Sequence, residues 1–401
     1  MTEPNPENFR VLIVSHAFPP EKGGNASRMG DLYKYLLKFG INVSVLAPIE
    51  TYPFGAFPKR FQLVKYDGGV VRLFTYQPKK DASYVERILY YTIFPILASL
   101  WIVFHKNIAD VVLVTSPPPQ MYLVVLVAKL LRKKVVVDIR DLFLDVSSSL
   151  GFIKPGGTTD KIFRFLEFKA LRIADAVTTV TPRIRRQLIE RYTIDPFKCH
   201  VVPNGVDLET FRCRDSQRIL RIVYTGYFGY AQDFDTFLEG YSLLEQKYRV
   251  PIILAGSGEA LERTLRKVKL LGLSQFVEYL GVLSREEIVS LLCSSGIGIS
   301  PIKVDKSLEY AVPSKIYEYL ACGIPFIGVG IGEIERVAKE SRAGCVGKSP
   351  QEIAACIKKL LNSNLKKMSV YGLRYAAFHS RENSARKFLR VLISTVRLDD
   401  G

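Results

Sequence analysis

Short apolar runs alternate with helix-length segments along the whole chain. In the first half, β-branched runs occupy 10–15, 42–47, 110–116, 133–139 and 176–181. The pattern restarts after VVPNGVD at 201–207, with runs at 221–226, 250–258, 276–281, 296–302, 325–330 and 343–347. Short β-branched runs separated by helices are typical of parallel, doubly wound sheets. The pattern therefore predicts an α/β protein with two Rossmann-like domains.

The restart of the pattern also predicts where the domains meet. We expect a first domain over residues 1–204 and a second over 205–379. The last amphipathic segment, 380–398, predicts a long helix that packs back on the first domain. A chain of 401 residues agrees with two domains of ~100–200 residues each.

Residues 88–104 form an uninterrupted apolar segment without a charged side chain. A helix that is apolar on all sides is buried in protein or lies in lipid. Seventeen residues span only ~25 Å as a helix, short of the ~30 Å hydrocarbon core, so a transmembrane span is not expected. Burial between layers and contact with a membrane surface both remain open. The aromatic content and the flanking Arg87 and Lys106 favour the membrane surface.

The charge of the chain is strongly basic, with 56 Lys and Arg against 39 Asp and Glu and a formal net charge of +17. Residues 1–200 hold 28 basic against 17 acidic residues, a net charge of +11. Such a surface suits anionic lipids or phosphorylated substrates, although solubility alone is the alternative. No RNA-binding aromatic motif, basic helix or zinc-finger pattern accompanies the charge, so nucleic acid is not an expected partner.

Six cysteines occur singly, without a CxxC pair, beside only four histidines. This pattern predicts a reducing compartment and no structural zinc. The polar N-terminal segment MTEPNPENFR does not resemble a signal peptide. We therefore expect a cytoplasmic protein.

Each predicted domain begins with a strand that leads into a glycine-containing turn. SHAFPPEKGGNASR follows the first strand of the first half, and YTGYFGYAQD closes the first strand of the second half. Ligands of open α/β sheets bind at the carboxyl ends of strands, where turns expose N–H groups to anions. Neither turn is a G-x-G-x-x-G or Walker A motif, so only their pairing predicts two facing half-sites.

A third candidate feature is the segment PSKIYEYLACGIP at 313–325. Pro313 suits the first position of a helix, whose positive dipole end attracts anions. Ser314 adds a hydroxyl donor and Lys315 a point charge for a diphosphate. Glu318 lies on the same face and could accept hydrogen bonds from ribose hydroxyls. The alternative is an ordinary amphipathic helix with a Lys–Glu pair.

The order of these motifs resembles glycosyltransferase family 4. The motifs are GG after the first strand, VVPNGVDLETF, LAGSGE, YLGVLSREEIVSLL and PSKIYEYLACGIP, and they cover nearly the whole chain. The resemblance is closest to the amino-sugar transferases that build bacterial surface polysaccharides. It implies a GT-B fold, with two domains facing across a cleft, and retaining transfer from a nucleotide sugar, expected to be a UDP-sugar. The C-terminal domain would hold the donor and the N-terminal domain the acceptor.

The resemblance also implies a set of donor residues, with two departures from the family pattern. Many members carry two glutamates eight residues apart; if Glu318 is the second, Tyr310 replaces the first, with Glu309 beside it. An Arg and a Lys common after the first strand of the second domain are absent from YTGYFGYAQD. The expected donor-binding residues are Gly226, Gly229, Gly256, Gly258, Val282, Glu309, Tyr310, Ser314, Lys315 and Glu318, of which Lys315 and Glu318 are also expected to be catalytic.

On the acceptor side, the segment DIRDLFLD at 138–145 follows a buried strand, where related enzymes place catalytically important polar residues. Unpaired burial of Asp138, Arg140 and Asp141 would be costly, so they pair with one another or line the cleft. We expect Arg140 to bind an anionic group and Asp141 to orient the acceptor hydroxyl, as catalytic residues, with a structural ion pair as the alternative. The expected acceptor-binding residues are His16, Gly23, Gly24, Arg28, Asp138 and Arg140.

The sequence DFD at 233–235 formally matches a metal-binding DxD motif. The motif lies at the start of a predicted helix, where the helix dipole favours negatively charged side chains, so the aspartates need no metal to explain them. We therefore expect a metal-independent reaction without a cofactor. The leading function is a hexosyl- or N-acetylhexosaminyltransferase. It would act on a lipid-linked or other glycan acceptor, as a peripheral protein at the inner face of the cell membrane. A nucleotide-sugar epimerase of the same fold and a non-catalytic membrane-associated partner protein are the alternatives.

Overall fold

The computed structural model describes residues 9–21, 23–52, 54–79, 82–213 and 217–397. The chain forms two compact units. Unit 1 runs to Pro203 and takes in the chain from Arg381 onwards, whereas unit 2 is the continuous segment Asn204–Ser380. The predicted domain limits, at 204/205 and 379/380, lie one residue from these boundaries.

Unit 1 is built on an eight-stranded sheet. Its strands are β1 (Arg10–Val14), β2 (Asn42–Pro48), β3 (Val64–Asp67), β4 (Val70–Leu73), β5 (Val111–Ser116), β6 (Lys134–Ile139), β7 (Ala176–Thr179) and β8 (Cys199–Val201). They lie in the order β3-β4-β2-β1-β5-β6-β7-β8, and every neighbouring pair is parallel apart from the β3/β4 hairpin. The helices between them are α1 (Gly24–Lys38), α2 (Tyr84–Phe104), α3 (Tyr122–Leu130), α4 (Phe143–Ser149), α5 (Thr158–Ile173) and α6 (Pro182–Tyr192).

Unit 2 is built on a six-stranded, fully parallel sheet. Its strands are β9 (Ile219–Tyr227), β10 (Ile252–Ser257), β11 (Val277–Tyr279), β12 (Ser295–Pro301), β13 (Phe326–Val329) and β14 (Gly344–Gly347), in the order β11-β10-β9-β12-β13-β14. Its helices are α7 (Phe234–Ser242), α8 (Leu261–Leu270), α9 (Arg285–Cys293), α10 (Ser314–Ala321), α11 (Glu333–Ser341), α12 (Pro350–Leu361) and α13 (Leu365–Phe378). The predicted fold class, two doubly wound parallel sheets, is confirmed.

The last helix, α14 (Arg381–Arg397), belongs to unit 1. Its Phe388 and Leu392 are buried in the same apolar core as Met29 and Leu36 of α1. An ion pair of 3.2 Å between Arg381 Nε and an Asp31 carboxylate oxygen adds a charged contact to this packing. The core of unit 1 therefore needs both ends of the chain.

Helix α2 is longer than the apolar segment that predicted it. Its 21 residues span about 31 Å, so the expectation that this helix is too short to cross a bilayer is wrong. Phe94 and Ala98 are fully buried, whereas Ile96 and Leu100 are 43% and 50% exposed. Among the described residues it is the one helix that could span a membrane by length and composition. The buried core helix of a soluble protein meets the same criterion, so this finding does not assign a membrane span. The helix has one apolar face in the core and another in solvent.

The cysteines are paired more than the sequence pattern predicted. Disulfides join Cys213 to Cys293 and Cys345 to Cys356, while Cys199 and Cys322 are free and buried. The expectation of single, reduced cysteines is thus corrected for four of the six. The sequence could not reveal the first pair because its partners are 80 residues apart and meet only in the fold.

Candidate active site

The carboxyl ends of β9 and β10 approach each other through glycines. Gly226 and Gly256 are partners in the ladder, and both have φ of +136°. A Cβ on Gly256 would lie 1.8 Å from the Gly226 carbonyl oxygen, so no other residue fits there. The Gly256 N–H also donates a 2.7 Å hydrogen bond to the Gly281 carbonyl oxygen, which fixes the turn before Val282. Glycine thus allows the backbones of the two strand ends to pack in direct contact.

Lys315 points to this glycine edge from α10. Its Nζ lies 3.8 Å from the ring centroid of Tyr224 and 3.2 Å from the position that a Cβ on Gly226 would occupy. Pro313 is the residue that precedes the helix, one position earlier than expected, and Ser314 begins it. Two features predicted separately from the sequence, the glycine turn and the Lys315 helix, therefore meet in the fold.

The environment of Lys315 disfavours its positive charge. Desolvation lowers the pKa of Lys315 to about 7, although the Glu318 carboxylate partly opposes this shift. Among the described residues, Lys315 has no hydrogen-bond acceptor and interacts through the Tyr224 ring and the field of Glu318. A poorly solvated ammonium near a helix N-terminus is a site suited to an anion.

Tyr224 is a site residue that the sequence interpretation missed. Its side chain is fully buried in β9, and its hydroxyl donates a 2.6 Å hydrogen bond to the Tyr227 carbonyl oxygen. Because Tyr224 lies two residues before Gly226, strand alternation could have placed both on one face. Its ring supplies the surface on which the Lys315 ammonium rests.

The other predicted donor residues lie at the ends of the same strands or just before α10. Gly229 and Gly258 follow β9 and β10, and Val282 is 64% exposed beyond β11. Glu309 and Tyr310 precede α10, and the Glu309 carbonyl oxygen accepts a 2.8 Å hydrogen bond from the N–H of Glu333. A cavity of about 120 Å³ opens beside the β9 turn, with Tyr230, Gln232, Asp233, Phe234, Asp235, Glu259, Ala260, Arg263, Thr264 and Lys303 around it.

The carboxylates of the DFD sequence already have partners. Asp233 precedes α7 and accepts hydrogen bonds from the Thr236 N–H at 3.1 Å and the Thr236 hydroxyl at 2.8 Å. Asp235 forms an ion pair with Arg263, and Phe234 is buried in the core. Helix capping and surface pairing therefore account for this motif.

Arg28 and Asp138 form a buried ion pair inside unit 1, which corrects their assignment to the acceptor. Arg28 donates two 3.0 Å hydrogen bonds to the Asp138 carboxylate, and the residues are 2% and 0% exposed. Arg28 also donates to the carbonyl oxygens of Val202 and Pro203, while Thr178 donates to Asp138. Both charges are satisfied within the fold, so this pair joins β6 to α1 and to the residues that follow β8.

Arg140 and Asp141 behave differently from that pair. Arg140 donates a 3.3 Å hydrogen bond to the Pro117 carbonyl oxygen, but its Nε is buried without a partner, as is Oδ1 of Asp141. Desolvation lowers the pKa of Arg140 and raises that of Asp141, and each charge opposes the shift of the other. Half-buried residues with unpartnered polar atoms at a strand end are the arrangement expected of a binding site.

His16 is packed against α2 and does not face solvent, which corrects its assignment to the acceptor. It is 3% exposed, its ring lies edge-on to Tyr90 at 4.6 Å, and its Nε2 lies 3.2 Å from the Tyr90 carbonyl oxygen. Desolvation lowers its pKa to about 4, so the imidazole is neutral. Gly23 precedes α1 and Gly24 begins it, and a Cβ on either would meet nothing within 4 Å.

Solved structures define the class of this fold. Sucrose-phosphate synthase from Thermosynechococcus elongatus superposes with a TM-score of 0.74 at 14% identity, over 96% of this chain and 99% of that chain. Anabaena Alr3699/HepE in complex with UDP-glucose gives 0.67 at 15% identity, over 96% and 100%. The two parallel-sheet α/β domains are those of GT-B glycosyltransferases.

Sequence comparisons agree and narrow the class. Glycosyltransferase Family 4 matches residues 22–210, and Glycosyl transferases group 1 matches 220–363. Each half of the chain is therefore similar to a glycosyltransferase family model, and its two domains have the fold of GT-B glycosyltransferases.

Three curated relatives each share 23% identity with the chain. One is a phosphatidylinositol N-acetylglucosaminyltransferase component of Arabidopsis thaliana, which matches over 89% of this chain and 75% of that protein. The putative teichuronic acid biosynthesis glycosyltransferase TuaH of Bacillus subtilis (strain 168) matches over 51% and 53%. A D-inositol 3-phosphate glycosyltransferase of Geodermatophilus obscurus matches over 47% and 46%. The chain thus spans about half the length of these two bacterial relatives.

Proposed function

We propose that this glycosyltransferase moves a hexosyl or N-acetylhexosaminyl group from a UDP-sugar, with retention, to a lipid-linked or other glycan acceptor in surface polysaccharide synthesis. The proposed binding of the sugar donor rests on one observation, the desolvated Lys315 beside the glycine-containing ends of β9 and β10. A diphosphate would restore the solvation that burial removes from this ammonium. The backbone N–H groups at the N-terminus of α10 and the Ser314 hydroxyl add further hydrogen-bond donors for the diphosphate.

Uridine is the base we favour. HepE is a structural neighbour whose complex contains UDP-glucose, which supports a uridine nucleotide here. The exposed Val282 and the Gly281 turn lie at the same strand edge as Gly256 and would present backbone groups to a base. Glu309, Tyr310 and Glu318 would then contact the sugar or the ribose.

The acceptor half rests on Arg140 and Asp141. Their unpartnered Nε and Oδ1 atoms could bind an anionic acceptor group and orient its hydroxyl. Teichuronic acid synthesis by TuaH and phosphatidylinositol modification by the plant relative, as their names state, support a glycan or lipid acceptor. Gly23 and Gly24 offer open backbone for the same ligand.

We further propose that the protein docks on the inner face of the cell membrane through α2. Its solvent side carries apolar side chains, Val85, Ile88, Leu89, Ile96, Leu100, Val103 and Phe104, each at least 38% exposed. Arg87 and Lys106 flank this face, and residues 1–200 have a net charge of +11. Hydrophobic and electrostatic attraction together are what lasting attachment to anionic lipid requires.

Transfer is proposed to need no metal ion. The aspartates of the DFD sequence cap α7 and pair with Arg263, so stabilisation of the departing phosphate falls to Lys315 and oriented amides. With its disulfides intact, the protein should keep its rate in EDTA and gain nothing from Mn²⁺ or Mg²⁺. Activity that collapses in EDTA and returns with Mn²⁺ would overturn this part of the proposal.

The experiment that tests the function has two stages. A thermal-shift screen of UDP, ADP, GDP and a panel of their sugars should single out a uridine nucleotide. The selected UDP-sugar is then incubated with membrane lipid extract, and mass spectrometry follows lipid products and free UDP. We expect a lipid product heavier by one sugar residue, formed together with UDP.

The same experiment separates the alternatives. An epimerase would convert the nucleotide sugar without releasing UDP, and a non-catalytic protein would leave it unchanged. Either result, obtained with a nucleotide sugar that binds and an active reference transferase in parallel, would contradict the proposed transfer.

A further inference from the structure

Three cysteine sulfurs meet in unit 2 at the end of α10 that is remote from Ser314. Cys213 and Cys293 form a disulfide, and the free Cys322 thiol lies within 4.8 Å of both sulfurs. Cys322 directly follows α10, Cys293 is the last residue of α9, and Cys213 precedes β9. The sulfurs therefore join three segments that are far apart in sequence.

The spacing of the three sulfurs suits a soft metal ion. Zinc binds thiolates at ~2.3 Å, which places the sulfurs of a tetrahedral site ~3.8 Å apart. Reduction of the disulfide by a thiol or phosphine adds two electrons and two protons and yields two free thiols. Small side-chain movements would then bring all three sulfurs to this spacing, since all already lie within 4.8 Å of one another. Cys213 is partly exposed, so reductant, metal and a water molecule as fourth ligand can reach the cluster.

A cationic side chain lies beside the three sulfurs. A bound divalent ion replaces thiol protons, which pass to solvent. Three thiolates around Zn²⁺ carry a net negative charge, and Arg218 lies beside them to offset it. The Arg218 guanidinium donates to the carbonyl oxygens of Cys322 at 2.7 Å and Gly323 at 2.5 Å.

We propose that Cys213, Cys293 and Cys322 bind one zinc ion when the Cys213–Cys293 disulfide is reduced. The cluster thus has two states. The disulfide ties α9 to the segment before β9, whereas the metal also ties the carboxyl end of α10. The proposal is independent of the donor assignment, because it concerns the opposite end of that helix.

Cobalt is the probe that tests this site. The protein is reduced with tris(2-carboxyethyl)phosphine, desalted without oxygen and titrated with Co²⁺. We expect one Co²⁺ per chain, with thiolate charge-transfer absorption and the visible bands of tetrahedral cobalt, and displacement by Zn²⁺. The air-oxidised protein should show none of these bands.

Matched cysteine variants assign the bands. Cys322→Ala and Cys213→Ser should abolish them, and the partly exposed Cys213 site should tolerate its replacement. Cys199→Ala, which removes a buried thiol of unit 1, and the double variant Cys345→Ser/Cys356→Ser should keep them. The proposal is refuted if folded, reduced protein binds no Co²⁺ or if both cluster variants still bind it. Unfolding on reduction that Zn²⁺ does not reverse would refute it equally.

Discussion

Lys315 combines a cost to folding with a benefit to binding. Its folded-state pKa of about 7 lies below the ordinary value of 10.5, so the protein binds this proton less tightly than the unfolded chain does. The cost of charging it is complete below pH 7 and disappears as pH rises through 10.5. Lys315→Met should therefore raise the melting temperature of the ligand-free protein near pH 6. This rise should become smaller as the pH increases.

The same substitution should remove donor binding. Loss of a charge-assisted contact costs ~1.5–3 kcal/mol, which corresponds to roughly 10–150-fold weaker UDP affinity. At pH 8 the free protein holds Lys315 mostly neutral, so calorimetry should detect proton uptake when UDP binds to the wild type. Lys315→Met should abolish that uptake, and Lys267→Met, at an ion pair with Glu239, should preserve it. UDP binding without uptake in the wild type would exclude Lys315 from the phosphate site.

Arg28 and Arg140 should separate structure from function in unit 1. Arg28→Met leaves the Asp138 carboxylate buried without its ion-pair partner and should cost ~3–5 kcal/mol in urea unfolding. Arg140→Met removes a guanidinium whose Nε has no partner, so unfolding should change by less than ~1 kcal/mol. The Arg140 variant should instead raise the KM for the acceptor. A large loss of stability with an unchanged KM would make Arg140 a structural residue.

Sequence patterns predicted these residues unequally. The expected helix N-terminus singled out Lys315 as a candidate, because helix periodicity is local information, and its role stays a prediction. Arg28 and Asp138 could not be paired in advance, since they are 110 residues apart and only the sheet order brings them together. His16 was misplaced for the same reason, because the aromatic residues around it come from α2.

At the scale of elements, the proposed membrane docking can be tested on α2. We compare wild type with the double variant Ile96→Lys/Leu100→Lys in co-sedimentation with phosphatidylglycerol vesicles. Both positions are at least 43% exposed, so the variant should remain folded but no longer bind the vesicles. Leu97 is half-buried and makes a poorer probe than its neighbour Ile96. Wild-type binding should weaken at high salt, because each basic residue near the surface contributes only ~1 kcal/mol and is screened.

Two controls complete this vesicle experiment. Leu243→Lys/Leu270→Lys adds the same charge at exposed positions of unit 2 and should leave binding unchanged. Phe94→Lys places a charge in the core and should unfold unit 1. A wild type that ignores anionic vesicles at low salt would contradict the docking surface.

The strands were predictable wherever the chain carries a recognisable apolar run. All eleven runs singled out in the sequence contain strands, but β3, β4 and β8 were missed because they lie outside these apolar runs. The outer face of α2 could not be distinguished from its buried face, since both are apolar and only packing differs. Periodicity therefore predicted the parallel sheets and left the hairpin and the orientation of α2 to the fold.

At the scale of the whole molecule, the two ends of unit 2 lie side by side. The Val206 N–H donates a 3.0 Å hydrogen bond to the His379 carbonyl oxygen, and Val206 also pairs with Ser380 in a β-bridge. Residues 204–380 expressed alone should therefore fold and bind UDP with nearly the affinity of the full chain. Circular dichroism and calorimetry check this, with the Lys315→Met fragment as control. A folded fragment that does not bind a nucleotide bound by the full chain would contradict a donor site contained in unit 2.

The return of α14 to unit 1 has a consequence for synthesis on the ribosome. Domains usually complete folding from the N-terminus as the chain emerges. Here Phe388 and Leu392 fill the core around Met29 and Leu36, so unit 1 lacks part of its interior until α14 is translated. Unit 2 is continuous and can close first, although its translation begins later. During that interval the nascent N-terminal half exposes the apolar groove that α14 will occupy, and it must be protected from aggregation longer than any other part of the protein.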